Sequence, residues 1–300
     1  MSIPKNQINI KSKLHSRSRY KTRYNFKELI LSTPELKHYV FKNKYGDLSV
    51  DFFDPKAVKI LNKALLKYNH NIEFWDIPKG YLCPPIPGRL DYIHYIADLM
   101  ECISKNPNII GLDIGTGANC IYPLLGHNEY GWNFIATDID KSAIDSAKNI
   151  VNENNLSDSI EIRLQENNAN KLKGVLKPNE QIAFVICNPP FHSSEEEAKK
   201  ASIRKLKNLK NNNSKAITLN FSGQHNELWC KGGESRFIKD LIFESRHFSK
   251  QCQWFTTLVS KASNLKGIYS NLKKVNANKV KTIEMGQGQK ISRIVAWSFQ

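Results

Sequence analysis

Residues 182–191 decide the fold, and they read Ile182-Ala183-Phe184-Val185-Ile186-Cys187-Asn188-Pro189-Pro190-Phe191. The first six residues are an unbroken apolar run, which is the pattern of a strand buried on both faces of a parallel sheet. The run stops at Asn188 because neither following proline can donate a hydrogen bond to a neighbouring strand. The pattern therefore predicts a stiff corner at the carboxyl end of a parallel strand, where open α/β sheets bind their ligands.

The corner carries groups that suit one reaction on an aromatic amine. The amino group of adenine is a poor nucleophile because its lone pair is delocalised into the ring. The Asn188 side-chain oxygen and the Pro189 carbonyl can each accept a hydrogen bond from one N–H of this amino group. The lone pair of the nitrogen is thereby freed and can point at a methyl group on a sulfonium donor. Phe191 can stack on the base. Such positioning supplies several kcal/mol without a general base. We therefore predict that Asn188, Pro189, Pro190 and Phe191 are catalytic; a plain proline turn closing a core strand is the alternative.

A second signal is the glycine-containing turn that follows the short apolar strand 109–114. Gly115 and Gly117 let the backbone approach a ligand where a strand leads into a helix. The dinucleotide-binding pattern requires another glycine at position 120, which is a cysteine here. The turn therefore predicts a ligand without a pyrophosphate; a tight turn with no ligand is the alternative.

An acidic residue follows the next predicted strand, 132–137. Asp138 lies about 20 residues beyond the glycines, where an acidic side chain can hold ribose hydroxyls. We interpret Asp140 as the N-cap of the helix that comes after it. The third strand, 160–164, leads into loop 165–170, which is expected to border an adenine ring.

Strands alternate with helices and end in two strands, 279–284 and 291–299, joined by a hairpin at 285–290. This order predicts an α/β fold with a doubly wound, Rossmann-like sheet and an antiparallel last strand, the architecture of class I S-adenosylmethionine-dependent methyltransferases. An amphipathic helix is predicted at 89–103. Arg89 at its start opposes the helix dipole, which indicates an anionic ligand; an ordinary surface arginine is the alternative.

Residues 1–85 are predicted to be a basic, mainly helical RNA-binding region ahead of a methyltransferase domain at 86–300. Residues 1 to about 25 are poor in apolar side chains and are expected to be disordered or extended until an anionic partner binds. Cations alternate there with tyrosines, a pattern typical of phosphate contact and base stacking. The predicted RNA-binding residues are Arg17, Arg19, Lys21 and Arg23, and a solubilising tail is the alternative.

A basic insertion, 192–223, follows the corner and shows no strand pattern. Long loops inside compact domains are usually functional or disordered. We predict a flap over nucleic acid, with Arg204 and Lys205 as RNA contacts. The chain has 300 residues and a formal net charge of +16, which indicates a polyanionic partner; a generally lysine-rich proteome is the blander explanation.

The cysteines argue against a metal site, because the six of them are scattered singly and no CxxC pair occurs. They are Cys83, Cys102, Cys120, Cys187, Cys230 and Cys252. The chain shows neither an apolar leader nor an apolar stretch long enough to span a membrane. We therefore expect a cytoplasmic protein with reduced thiols and no membrane partner, and we expect a monomer.

Several blocks of this sequence resemble the RlmF (YbiN) family of methyltransferases. The blocks are Trp75–Pro78, Cys83–Arg89, Leu112–Gly126, Asn188–His192, Ser222–Gln224, Glu227–Cys230, Gly232–Glu234, Gly286–Lys290 and Ala296–Phe299. The resemblance spans nearly the whole chain from about residue 15. It implies an enzyme that uses S-adenosyl-L-methionine to make N6-methyladenosine at one position of 23S ribosomal RNA, with that RNA or a large-subunit precursor as partner. It also links the chain to the eukaryotic methyltransferases of U6 small nuclear RNA.

The resemblance also implies roles for individual residues. Arg89 would contact the carboxylate of the donor, Gly115 and Asn119 would line its amino-acid end, and Asp138 would hold its ribose. The corner from Asn188 onward would present the target adenine. The full implied donor site is Arg89, Asp113, Gly115, Gly117, Asn119 and Asp138.

Alternatives to this substrate stay open on the residues alone. The same corner serves adenine methylation in DNA and glutamine methylation in proteins, and the charge of +16 argues against a protein substrate. RNA is preferred to DNA only through the resemblance. A catalytically silent RNA-binding assembly factor is a further alternative, against which the complete corner and glycine turn argue. The sequence does not distinguish naked RNA from a ribosomal particle.

Overall fold

The computed structural model describes residues 14–101, 104–197, 200, 225–287 and 290–300. Most of the predicted basic insertion lies outside these ranges, including Arg204 and Lys205, and so do the first thirteen residues. None of the helices within these ranges combines the length and the hydrophobicity that a membrane span requires.

The N-terminal elements form a small layer of helices with one hairpin. They are α1 (Phe26–Ser32), a 3-10 helix (Pro34–Tyr39), β1 (Val40–Lys42), β2 (Leu48–Val50) and α2 (Pro55–His70). Helix α2 begins at Pro55, because proline fits the first turn of a helix and the Asp54 side chain accepts a hydrogen bond from the Lys56 amide at 2.9 Å. The antiparallel pair β1–β2 is an addition to the predicted helical region, since three-residue strands are too short to show alternation.

The rest of the described chain builds one seven-stranded sheet with helices on both faces. Its elements are α3 (Ile86–Leu99), β3 (Ile110–Ile114), α4 (Ile121–Tyr130), β4 (Asn133–Asp138), α5 (Lys141–Glu153), β5 (Ile160–Leu164), β6 (Ile182–Cys187), α6 (His225–Leu228), α7 (Gly233–Ser245), β7 (Cys252–Val259), α8 (Leu265–Lys274), β8 (Lys279–Gln287) and β9 (Lys290–Ser298). The strand order is β5-β4-β3-β6-β7-β9-β8. The last strand, β9, runs antiparallel to both β7 and β8, while the other neighbours pair in parallel. This confirms the predicted doubly wound α/β fold with an antiparallel last strand.

Strand β6 is buried on both faces, as its unbroken apolar run predicts. Phe184 and Ile186 belong to the core that includes α3 and α4. Val185 and Cys187 belong to the core on the other face, which includes α7 and α8. The strand that ends at the predicted corner is therefore central, and its end has little freedom to move relative to the sheet.

Helix α3 differs from the prediction in its bounds and in its burial. It begins at Ile86 rather than Arg89, because Pro87 lies in the first turn, where a missing N–H costs nothing. It ends at Leu99. The expected amphipathic pattern is wrong as well, because ten of its fourteen residues are buried, among them Asp91. The docked N-terminal segment covers the side that was expected to face water.

Residues 14–25 are docked on the protein, which corrects the expectation of a disordered or extended segment. His15 and Tyr20 are buried. The His15 amide donates to Asp91 Oδ2 at 3.0 Å, and its ring shares a hydrogen bond of 2.8 Å with Asp98 Oδ2. Both partners lie on α3, 76 and 83 residues away in sequence, so local composition does not reveal this docking.

The loop of the closing hairpin is shorter than predicted, and its first strand is longer. Strand β8 extends to Gln287 and β9 begins at Lys290, so most of the predicted connection 285–290 is paired strand. Met285 pairs with Ser292, for example, and the Met285 side chain is buried. Polar residues and glycines in this stretch resemble a loop locally, but pairing with the neighbouring strand decides the outcome.

Candidate active site

One cavity of about 560 Å³ opens at the carboxyl ends of β3, β4 and β6. Its volume lies in the range of small-molecule sites, and its position is the ligand-binding edge of an open α/β sheet. Most of the predicted catalytic and donor-binding residues line it together: Arg89, Gly115, Gly117, Asn119, Asp138, Asn188 and Pro190. Asp113, Pro189 and Phe191 do not line it.

The glycine turn after β3 is held by main-chain hydrogen bonds to β4. The amides of Gly115 and Thr116 both donate to the Thr137 carbonyl at 2.9 Å. Gly115 and Gly117 have φ values of +75° and +63°, a conformation that disfavours any side chain. A Cβ built on Gly115 would meet no atom within 4 Å, so this backbone faces open space.

Asp138 joins the glycine turn to the start of α5. Its Oδ2 accepts a hydrogen bond from the Gly117 amide at 2.9 Å, and its Oδ1 accepts one from the Asp140 amide at 3.0 Å. Burial raises the pKa of this carboxyl group. Asp140 caps α5 as interpreted from the sequence, because its side chain accepts a bond from the Ser142 amide at 2.9 Å.

Arg89 brings a cation to the cavity wall. Its Nη1 donates to the Tyr122 hydroxyl at 2.6 Å, and its guanidinium lies 5.4 Å from the centroid of the Tyr122 ring. The side chain is half-buried, and no carboxylate in the described part of the chain forms an ion pair with it. Its remaining donors are therefore suited to an anionic group of a ligand.

The segment 72–85 forms a wall of the cavity, through Tyr81, Leu82 and Pro84. The Tyr81 hydroxyl donates to Asp140 Oδ2 at 2.7 Å. Burial, together with this bond to a carboxylate, raises the pKa of Tyr81 to about 12. The Leu82 amide donates to Glu227 Oε2 at 2.9 Å, so the wall is tied to the far side of the site.

Asn119 is a buried residue at the start of α4. Its Oδ1 accepts a hydrogen bond from the Ile121 amide at 3.1 Å, and its main-chain carbonyl accepts one from Trp75 Nε1 at 3.0 Å. These bonds fix the loop between the glycine turn and α4. The Asn119 side chain borders the cavity from this fixed position.

Asp113 lies beneath the site rather than in it. The side chain is fully buried, and neither carboxylate oxygen has a hydrogen-bond partner in the described part of the chain. Burial raises its pKa to about 7, and the nearby Asp138 carboxylate adds to this effect. Its predicted role in donor binding stays a prediction, since the cavity wall begins one residue later at Ile114.

The predicted corner lies directly beside the glycine turn, because β6 and β3 are parallel neighbours with Cys187 opposite Ile114. Asn188 Oδ1 is buried from solvent and has no hydrogen-bond partner among the described residues. An unpaired buried acceptor is costly, so its presence at a cavity wall indicates a ligand donor. Pro189 is buried and Phe191 is half-buried, and neither lines the cavity. Contact of the Pro189 carbonyl with the acceptor and stacking by Phe191 therefore stay predictions.

The predicted RNA-binding arginines of the N-terminal segment have protein partners. Arg17 forms an ion pair of 2.7 Å with Asp98, and Arg19 forms one of 2.5 Å with Glu129. Arg23 pairs with Asp47, and Lys21 Nζ donates to the Ser16 carbonyl at 2.6 Å. Contact of these residues with RNA stays a prediction, as does contact through Arg204 and Lys205, which lie outside the described residues.

Sequence reasoning missed several residues of the cavity wall and gave others no role. Loop 165–170 was expected to border the ligand, and Gln165, Asn168 and Asn170 do line the cavity. Lys171, next to it, was not singled out; it is buried and lies 4.9 Å from the Phe237 ring centroid. Residues of α6, of α7 and of the link between them also line the wall, and they include Glu227, Trp229, Cys230 and Arg236.

The wall fits S-adenosylmethionine. Arg89 supplies a cation for a carboxylate, and the Asp138 oxygens keep lone pairs for hydroxyl donors. The open space at Gly115 leaves room for a ligand against the main chain. Within the described residues, no group of three or more histidine, cysteine, aspartate or glutamate side chains could hold a metal ion.

Comparisons with known proteins agree with this geometry. A family model described as RNA methyltransferase matches residues 8–300. The chain is 50% identical to a ribosomal RNA large subunit methyltransferase F of Cytophaga hutchinsonii, covering 97% of this chain and 92% of the relative. It is 52% identical to that of Flavobacterium johnsoniae, covering 96% and 94%.

Solved structures show the same likeness. The catalytic domain of human METTL16 in complex with MAT2A 3′UTR hairpin 1 is 34% identical, with a TM-score of 0.83 and coverage of 96% of both chains. The N-terminal domain of human METTL16 in complex with SAH is 33% identical, with a TM-score of 0.77 and coverage of 96% and 99%. The chain belongs to the RNA methyltransferase family that includes the ribosomal RNA large subunit methyltransferases F, and it is an S-adenosylmethionine-dependent enzyme.

Proposed function

We propose that this enzyme methylates the N6 amino group of one adenine in 23S ribosomal RNA. The observation that carries the proposal is the buried, unpaired Asn188 Oδ1 at the wall of the donor cavity. An adenine amino group is a donor of two hydrogen bonds, which is the complement of this acceptor. The names of the bacterial relatives support ribosomal RNA as the substrate.

Asn188 and the Pro189 carbonyl act on the acceptor nitrogen. Each accepts a hydrogen bond from one N–H of the amino group. This geometry draws the nitrogen out of conjugation with the ring and frees its lone pair. Because the Asn188 oxygen is already desolvated, its hydrogen bond to the substrate is not weakened by competing water. Pro190 keeps the corner stiff, so little reorganisation is needed during the reaction.

The donor side orients the electrophile. S-adenosylmethionine, when bound, supplies a methyl group on a positively charged sulfur. Arg89, Asp138, Gly115 and Gly117 all line the cavity. Arg89 would hold the donor's carboxylate, Asp138 would hold its ribose hydroxyls, and the two glycines would allow the close approach of the main chain. Asp113 lies beneath the donor site and would support it only indirectly. Methyl transfer leaves the nitrogen positively charged and acidic, so its proton passes to water and no protein base is required.

The target adenine must leave any helix before it reaches the corner. Flipping or unstacking a base costs a few kcal/mol, which favours an adenine in a loop. The charge of +16 supplies phosphate attraction, and we expect affinity for RNA to fall steeply with salt. We further propose a monomeric enzyme that acts in the cytoplasm, where ribosomes are assembled.

The test uses ribosomal RNA from cells that lack this protein. Purified enzyme and methyl-labelled S-adenosylmethionine are added to total RNA and, separately, to ribosomal particles, and nucleosides are identified by mass spectrometry. We expect label in N6-methyladenosine of 23S RNA and none with Asn188→Ala, which should still bind S-adenosylhomocysteine. Label in another nucleoside, or equal labelling by Asn188→Ala, would refute the proposal.

A further inference from the structure

The Gly232-Gly233-Glu234 motif begins α7 and packs directly against the exit of the acceptor corner. Gly232 and Gly233 have φ values of +85° and +62°. A Cβ on Gly233 would lie 3.2 Å from the Ser193 nitrogen and 3.3 Å from the His192 carbonyl carbon. Because both contacts are to backbone atoms, a side chain at Gly233 would push on the segment that follows Phe191.

The residues just before the motif bind the same exit segment. The His192 amide donates to the Leu228 carbonyl at 3.1 Å, and the Cys230 amide donates to the His192 carbonyl at 3.1 Å. His192 and Trp229 thereby form a parallel β-bridge. These bonds determine the direction in which the chain leaves the corner.

Glu234 binds the loop that follows β7, the strand next to β6. Its side chain is only 2% exposed. Oε1 accepts a bond from the Ser260 amide at 2.7 Å, while Oε2 accepts bonds from the Lys261 amide at 3.3 Å and from Asn264 Nδ2 at 2.5 Å. Ser260 and Lys261 follow β7, the parallel neighbour of β6, so this loop leaves the sheet beside the corner.

A further link connects this loop to the exit segment. Lys261 Nζ lies 3.4 Å from Glu197 Oε1. Glu197 Oε2 accepts bonds from the Ser193 amide at 2.7 Å and from the Ser193 hydroxyl at 2.6 Å. The residue after His192 is therefore tied, through Glu197 and Lys261, to the loop that Glu234 holds.

We propose that Gly233 and Glu234 are positioning residues for methyl transfer. They hold the exit of the corner in place and, through it, the orientation of Asn188 toward the acceptor nitrogen. Neither residue lines the cavity, so they act through the corner and not on the substrate. This inference rests on the proposed acceptor site at Asn188. A displacement of about 1 Å at a reacting group can cost about 100-fold in rate, so small shifts are measurable.

The test compares two substitutions on the same helix of the full-length protein. Glu234→Gln turns an acceptor into an NH2 group that faces the Lys261 and Asn264 donors. Glu244→Gln is the matched control, because Glu244 also lies on α7 and accepts bonds from consecutive amides, those of residues 171–173. That loop belongs to the donor side of the cavity.

For Glu234→Gln we expect kcat to fall between about 10- and 100-fold, with the Kd for S-adenosylhomocysteine within twofold of wild type. For Glu244→Gln we expect the opposite result: S-adenosylhomocysteine binds more weakly, with a larger Kd, and kcat falls less than in Glu234→Gln. Asn264→Ala removes one of the three hydrogen bonds to Glu234, and it should lower kcat by a smaller factor than Glu234→Gln does. It provides the same test if Glu234→Gln does not fold.

Hydrogen exchange of the RNA-free protein gives a readout that does not depend on the substrate. The His192 and Ser193 amides should exchange faster in Glu234→Gln than in wild type, and at the wild-type rate in Glu244→Gln. An unchanged exchange rate, or a parallel loss of kcat and donor binding in Glu234→Gln, would overturn the inference. If wild type labels no RNA, the proposed function fails, and the exchange rates still decide whether Glu234 positions the corner.

Discussion

Asp113 should make the protein less stable as the pH rises from about 4 to about 7. Its carboxyl group is fully buried and has no hydrogen-bond partner in the described part of the chain, so burial raises its pKa from 3.8 to about 7. Between these two values the folded state keeps a proton that the unfolded state has released. The free energy of unfolding therefore falls as pH rises from about 4 to about 7, and it is level above that range.

The size of the effect follows from the shift. Each pKa unit corresponds to about 1.4 kcal/mol, so the full penalty is about 4 kcal/mol, of which about 2.5 kcal/mol develops between pH 5 and pH 8. Asp113→Asn keeps the shape of the side chain and cannot ionise. Between pH 5 and pH 8 the free energy of unfolding of wild type should therefore fall by about 2.5 kcal/mol more than that of Asp113→Asn.

Urea unfolding followed by tryptophan fluorescence measures this difference at pH 5 and at pH 8. Titrating groups that do not interact with Asp113 contribute equally to both proteins, so their contributions cancel when the two pH changes are subtracted. Asp138 is the exception, because its carboxylate acts on the pKa of Asp113. Glu73→Gln is a suitable control, because Glu73 is exposed and forms only a surface ion pair with Lys67. Equal pH dependence in wild type and Asp113→Asn would refute the argument that this buried carboxyl group is neutral in the folded protein.

Three further substitutions test the site and the core. Arg89→Leu should weaken binding of S-adenosylhomocysteine by about 1.5–3 kcal/mol, because a charged hydrogen-bond donor is lost. Isothermal titration measures this change, and an unchanged affinity would show that Arg89 does not contact the donor. Gly115→Ala should lower Tm through a strain of about 1 kcal/mol at φ +75°, although the added Cβ meets no atom. Gly111→Ala should cost about 1–3 kcal/mol, because its Cβ would lie 2.5 Å from Phe184 Cζ and 2.8 Å from Phe134 Cε1. Phe184→Leu should restore the part of that loss that comes from the Phe184 ring, and failure to do so would exclude the Phe184 contact as its main cause.

Much of the sheet and the corner could be predicted because the signals are local. An apolar run ended by two prolines leaves the chain few conformations, so β6 and the corner at Asn188 follow from adjacent residues. The same holds for Asp140, whose capping bond reaches only two residues along the chain. Capping, turn geometry and strand burial are short-range effects, and a single sequence carries them.

Other features depend on partners far apart in the chain. The segment around His15 looks disordered by composition, yet it docks because α3 presents Asp91 and Asp98 to it. The docking in turn buries a face of α3 that was expected to meet water. The composition of a segment does not show which surface it will dock on. The wrong predictions for the N-terminal segment and for α3 therefore have the same cause.

The sequence by itself determined the central strands of the large sheet, the glycine turn and the asparagine–proline corner, because steric restriction and burial pattern act between neighbouring residues. Only the tertiary structure decided which polar groups meet across the fold. It placed Asp113 under the cavity and not in its wall, and it directed Glu234 to amides 26 and 27 residues away. Such contacts are selected by the packing of whole elements, and a hydrogen bond between distant residues exists only once that packing has brought donor and acceptor within reach.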